Sequence, residues 1–234
     1  MKPYLTVLFV CLATVQGFCG DESDEIKRVI RKAVEAHGGE DRLKRLTSFI
    51  EATESTTASG IVFNEKRYVQ LPDRCRTETD FGKNSRLKPC VLVQTADHRW
   101  RKLADRPTKD SGAPSKTQMA FIRFSGPRAL LQLVDPQNTV TLIGDAKVGD
   151  KNVIGVTVKS TFEEKFFFDS RTGLLVMRET TNRQTIYSDY EKVNGIPVAR
   201  KITQKKDGKV QRTTKVTEFN VVSKHDPALF KKPK

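Results

Sequence analysis

Two dipeptides in the last quarter of the chain, Asn194-Gly195 and Asp207-Gly208, constrain its fold more than any other feature. Both favour two-residue hairpin turns, because such turns need positive φ at both positions. Around them run "QTIYSDYEKV", "IPVARKITQKK" and "KVQRTTKVTEFNVV", where β-branched and aromatic residues alternate with charged ones. That period of two is the pattern of a strand with one face buried. Strands joined by turns this short pair antiparallel. The pattern extends upstream: "NTVTLIGDAKV" and "KNVIGVTVKS" flank Gly149-Asp150. "EKFFFD" and "LLVMRE" flank Asp169-Ser170-Arg171-Thr172-Gly173, which suits a type I turn closed by a glycine bulge. From residue 138 onward the chain predicts a meander of about six long strands.

The first half repeats the theme after a helical start. Ile26, Val29, Ile30, Ala33, Val34 and His37 recur at helical steps, so this segment predicts an amphipathic helix. Ser23 or Asp24 can cap it, and Gly38-Gly39 ends it. His37 falls at its C-terminus, where a cation interacts favourably with the helix dipole. A short turn, "EDRLKRL", carries Leu43 and Leu46 inward. "SFIEATESTTASGIVFNEKRYVQLPDRCRTETDF" and "CVLVQTADHRWRKL" then predict about five strands before residue 104. A polar loop over 104–116 leads into "SKTQMAFIRFSGPRALLQLVDPQ", two helical pieces broken at Ser125-Gly126-Pro127. "DPALFKKPK" reads as a short polar, basic tail. The expected fold class is α+β, in one domain over residues 21–234. A single curved antiparallel sheet carries helices on one face, and its other face can stay wet.

Residues 1–20 read as a secretory signal peptide: Lys2, an apolar run from Tyr4 to Val15, small residues, then acids from Asp21. The run is shorter than the roughly 20 residues a membrane-spanning helix needs. Val15-Gln16-Gly17 and Gly17-Phe18-Cys19 are the cleavage candidates, with an uncleaved anchor as the alternative. A secreted or periplasmic location gives the net charge of +14 its meaning. Export removes nucleic acid as a partner and leaves anionic membrane surface or wall polymer, or a basic surface that is simply solvated. The oxidising compartment also predicts one disulfide between Cys75 and Cys90.

In the strand "EKFFFD", Phe166 and Phe168 share a face with Phe162, while Phe167 points the other way. Three phenylalanines in a row imply that both faces are covered there, or that the strand borders a cavity. Candidate lining residues for an apolar ligand are Phe63, Phe166 and Phe168 on strands. Met119, Phe121, Ile122, Phe124, Leu130 and Leu131 form a candidate lid, since Met and Phe adapt to loosely specified apolar ligands. Ordinary core packing accounts for the same residues. Trp100, between Arg99 and Arg101, suits either lipid head groups or a buried indole with solvated arginines. His37, His98 and His225 have no Ser or Cys nucleophile in a recognisable setting. Glu163 and Glu164 alternate across a strand. No HExxH, P-loop, GxSxG or EF-hand pattern occurs. No catalytic residue, metal or cofactor is expected.

The segments "AHGGEDRLKRLTSF", "FFFDSRTGLLVMRE", "IYSDYEKVNGIPVARKIT" and "KVTEFNVV", with a closing "DPALFKKP", together resemble the LolA-like superfamily of outer-membrane lipoprotein carriers. The resemblance covers roughly residues 24–230 and is that of an outlying member. It implies a half-open antiparallel barrel with helices on its concave side and an apolar cavity between them. It also implies a non-catalytic carrier whose ligand is a lipid or the acyl chains of a lipoprotein; separately, a monomer is expected. The alternative is an envelope structural or interaction module with a packed interior and a basic, anion-binding face.

Overall fold

The computed structural model describes residues 22–82, 85–160 and 163–234. The expected signal segment, Phe162 and the side chain of Phe121 lie outside the described residues. Two helices come first, α1 (Glu22–Ala36) and α2 (Glu40–Arg45). A first meander follows: β1 (Ser48–Thr57), β2 (Val62–Gln70), β3 (Arg74–Asp80), β4 (Cys90–Gln94), β5 (Arg99–Leu103) and β6 (Lys109–Asp110). Helix α3 (Lys116–Arg123) and a 3-10 helix (Gly126–Leu133) lead to a second meander. It comprises β7 (Thr139–Val148), β8 (Lys151–Lys159), β9 (Glu163–Asp169), β10 (Leu175–Thr180), β11 (Arg183–Val193), β12 (Ile196–Lys206) and β13 (Lys209–Val221). The second half thus carries seven strands where about six were expected.

All of these strands belong to one curved, unclosed antiparallel sheet in the order β6-β5-β4-β3-β2-β1-β13-β12-β11-β10-β9-β8-β7. The two meanders meet where β1 pairs with β13, Phe49 opposite Val221 and Thr57 opposite Arg212. That pairing leaves β6 and β7 as the two edges, so the segment joining them must cross one face of the sheet. The segment is helical because its caps are in place. Ser115 and Gln118 form a reciprocal capping box at the start of α3, and Pro127 sits in the first turn of the 3-10 helix. Both hairpin dipeptides turn as expected, with φ of 50° and 78° at Asn194-Gly195 and 49° and 75° at Asp207-Gly208.

The helices and one face of the sheet share a single core. Val29, Ala33, Leu43 and Leu130 meet Phe49, Phe166, Phe168 and Phe219 in it. Burying each of these phenylalanines contributes about 1.5–3 kcal/mol. Phe167 lies on the opposite face in a smaller cluster with Val153, Val176 and Met177. Its ring covers Gly155: a Cβ there would stand 2.9 Å from Phe167 Cδ1 and Cε1 and 3.1 Å from Ile143 Cβ. The three consecutive phenylalanines therefore serve two layers, and both faces of β9 are covered.

Three expectations are corrected. The disulfide does not form: Cys75 and Cys90 are both free. On the paired strands β3 and β4, Cys75 stands opposite Gln94 and Cys90 opposite Thr79. Four residues of strand separate the two, about 13 Å, beyond the reach of a disulfide, which needs Cα atoms within about 7 Å. The C-terminal "DPALF" is not simply part of a polar, basic tail. Asp226 caps a short 3-10 helix (Pro227–Phe230), and Phe230 is buried over His225. His225 Nε2 in turn lies 3.1 Å from the backbone oxygens of both Phe49 and Val69. The capping Asp followed by Pro is a helix-start signal that was present in the sequence. His37, finally, is buried and hydrogen-bonded, and is not a surface cation at a helix end.

Two measurements check this packing. Gly155→Val is expected to destabilise the protein by about 1–3 kcal/mol in urea unfolding, with much of that loss relieved when Phe167→Ala is present too. Thiol titration under denaturing, non-reducing conditions is expected to find Cys75 and Cys90 both free.

Candidate ligand-binding cavity

The helix-facing side of the sheet is apolar at one end and polar at the other, and the register shows where it changes. Along β1 and β2 the cross-strand pairs on this face are Phe49–Val69, Glu51–Arg67, Thr53–Glu65 and Ser55–Phe63. Ser55 continues across the sheet to Thr214, Ile202 and Tyr187. One row further from the helices run Arg212, Gln204, Thr185, Arg178 and Phe166. The end below α1 is thus lined by Phe and Val, and the end toward the β1–β2 and β12–β13 hairpins by Thr, Gln, Glu and Arg.

A cavity of about 430 Å³ lies between this face and the 3-10 helix. Pro127, Ala129, Leu130, Leu175, Val198 and Phe219 form its apolar wall, and Glu51, Glu65, Arg67, Arg178, Tyr187 and Arg212 its charged and phenolic wall. A smaller cavity of about 140 Å³ adjoins it on the other side of Arg67 and is bounded by Ile122, Gln94 and Arg99.

Each arginine of the main cavity is held by an acid. Arg67 donates to Glu51 at 3.0 Å and to Ser125 Oγ at 3.2 Å, tying the sheet to the junction between α3 and the 3-10 helix. Burial works against the Arg67 charge, but Glu51 and Cys75 together outweigh it and leave the guanidinium above its ordinary pKa. Arg212 pairs with Glu65 at 3.2 Å and donates to Gln204 at 3.1 Å. Arg178 places one nitrogen 2.7 Å from both oxygens of Glu164, which also accepts from buried Gln132 at 3.2 Å. Its guanidinium lies 5.2 Å above the Phe166 ring. The roof is pinned from outside as well, by Arg128 donating to the backbone oxygen of Lys44 at 2.7 Å.

His37 closes the cavity's apolar end. Its Nδ1 lies 2.8 Å from Ala33 O, and its Nε2 accepts from Leu175 N–H at 3.4 Å. Burial pushes its pKa down to about 4, so the imidazole is neutral. Tyr190 packs edge-on against it and donates to Leu175 O at 2.7 Å.

No family model and no curated protein matches the sequence. Solved structures do match. A LolA superfamily protein from Nitrosomonas europaea superposes with a TM-score of 0.58 at 6% identity, covering 88% of this chain and 97% of that one. A DUF1329 family protein from Desulfovibrio piger gives 0.56 at 12% identity, with the same shares of 88% and 97%.

The chain has a LolA-like fold.

Within that LolA-like fold, the residues expected from sequence are dispersed. Leu130 lines the main cavity and Ile122 the smaller one. Leu131, Phe166 and Phe168 are buried in the core, with Met119 and Phe124 packed against it. Met119 accepts a hydrogen bond from Gln94 at 3.7 Å. Phe63 is buried beneath the Arg212 guanidinium and beside the Phe81 ring. Trp100 sits near the β6 edge, donating to Asp110 at 3.0 Å and stacking on His98. The charged wall was missed. Its signal was available: Glu51 and Arg67 alternate in phase with Phe49 and Val69, placing charge on the buried face of the strands.

Two results are expected from this geometry. Glu164→Ala leaves Arg178 without its acid and is expected to cost about 3–5 kcal/mol in urea unfolding. For His37, the unfolded chain takes up a proton near pH 6.5 and the folded chain near 4. Its contribution to stability is therefore complete above pH 6.5 and is lost as pH falls from 6.5 to 4, by at most about 3 kcal/mol. His37→Asn is expected to flatten that part of the stability–pH curve.

Proposed function

We propose that this protein is a secreted or periplasmic, non-catalytic carrier or binder of a lipidated or otherwise apolar ligand. In this reading residues 1–20 are a cleaved leader and the remainder is one monomeric domain. The observation that carries the proposal is the divided cavity of about 430 Å³ in a LolA-like fold. That volume falls within the roughly 300–1,000 Å³ usual for small-ligand sites. The ligand's apolar portion fits against Leu130, Leu175, Val198 and Phe219, beneath the 3-10 helix. Its polar end meets Arg67, Tyr187 and Arg212, whose hydrogen-bonding groups offset the cost of taking that end out of water. The bound molecule is thus an amphiphile. A binding role also accords with His37, whose two ring nitrogens are both engaged by backbone groups and so are not free to act as base or acid.

The proposal is tested by extracting the purified exported protein with organic solvent and analysing the extract by mass spectrometry, alongside titration with a fluorescent fatty acid. Stoichiometric amphiphile in the extract and saturable probe binding are expected. A clean extract with no probe binding would contradict the carrier reading and favour the packed envelope module.

A further inference from the structure

Because adjacent strands are antiparallel, their connections alternate between the two ends of the sheet. One end collects six connections, of which the outer two are the β5–β6 loop with Asp105 and the β8–β9 connection leading into Glu163, and the central four are, in spatial order, the β3–β4 loop, the β1–β2 hairpin, the β12–β13 hairpin and the β10–β11 hairpin. Of five large hydrophobic residues exposed among the described residues, four lie on this rim: Ile61, Val62, Leu87 and Val210, at 38%, 51%, 44% and 45% exposure. Five basic residues are exposed beside them: Arg86, Lys88, Arg183, Lys206 and Lys209. The acids on the central four connections are Asp80 and Asp207. None of the five basic side chains makes an ion pair among the described residues.

We propose that this rim is a docking surface for an anionic lipid bilayer. Exposed aliphatic side chains cost little on entering the head-group region, and clustered lysines and arginines are drawn to anionic lipid. Entry also requires that few backbone groups be stripped of water unpaired. Hydrogen bonds within and between the turns meet that need: Thr57 N to Ile61 O at 2.9 Å, Ala58 N to Gln211 O at 2.9 Å and Asp207 N to Asn182 O at 3.2 Å. The surface is an arc of projecting turns, which suits a broad interface more than a protein's concave site. It also borders the polar end of the cavity, since Gln204 and Arg212 line that end and flank the β12–β13 turn. Docking stands apart from the cavity's occupant, and each can fail without the other.

The test is co-sedimentation of the exported protein with phosphatidylcholine vesicles, with and without phosphatidylglycerol, at low and high salt. Binding is expected only with phosphatidylglycerol and weaker in high salt. Lys206→Ala with Lys209→Ala should lower it on the order of fivefold per lysine. Ile61→Ser, Val62→Ser and Val210→Ser together should abolish the part that persists in high salt. Arg28→Ala with Arg31→Ala, on the exposed face of α1, should leave binding unchanged, and every variant should melt as the parent does. The proposal is overturned if no phosphatidylglycerol-dependent binding occurs or if the α1 variant loses as much as the lysine variant. It is equally overturned if dextran sulfate is bound as tightly as vesicles and the serine variant is indifferent, which would mark a polymer-binding face.

Discussion

Everything in this molecule depends on the pairing of β1 with β13. Within each meander the strands pair in sequence order. Joining Ser48–Thr57 to Lys209–Val221 fuses the two meanders into one broad sheet and sends their far ends to opposite edges. The link between those edges, residues 111–138, has no route except across a face. Because that link carries the capping box at Ser115 and the apolar run Ala129–Leu133, it crosses as a roof and encloses a cavity. The roof's position is then fixed by Arg67 reaching up to Ser125 from the sheet and by Arg128 reaching back to α2.

The cavity under that roof keeps its volume for a physical reason. An apolar interior tends to collapse on itself, since unfilled space forfeits van der Waals contact. Here one wall is built from Arg67–Glu51, Arg212–Glu65 and Arg178–Glu164, groups too costly to bury dry and too strongly paired to swing away. They hold the sheet side open, while Leu130 and Phe219 supply the apolar side. The same arrangement gives the cavity one apolar and one charged wall.

Much of the architecture was legible in the sequence. The turn dipeptides specified the second meander, the helical period specified α1, and Ser125-Gly126-Pro127 marked the break between α3 and the 3-10 helix. The triple phenylalanine was legible as divided between two faces, but which face meets the helices was not, and the fold turns Phe166 and Phe168 to them. The cavity was legible only in outline, because apolar residues suit a cavity lining and an ordinary core alike. In the folded chain those residues do what apolar residues do best, and Phe166, Phe168 and Leu131 fill the core. The cavity wall is instead made of residues that look like solvated strand positions until the curvature of the sheet turns them inward. The mispaired cysteines show a related limit. Fifteen positions of sequence separate Cys75 from Cys90, but the strand register, which no local signal specifies, leaves them four rungs apart.

The central claim is that an amphiphile occupies the space between the sheet and the 126–133 helix. Photo-crosslinking tests it most directly, using a fatty acid that carries a diazirine on its chain, followed by peptide mapping of the labelled protein. The account predicts adducts concentrated on Leu130, Leu175, Val198 and Ile202, and their loss when unlabelled fatty acid is added in excess. Adducts confined to the outer face around Ile143 and Phe167, or spread without competition, would contradict it.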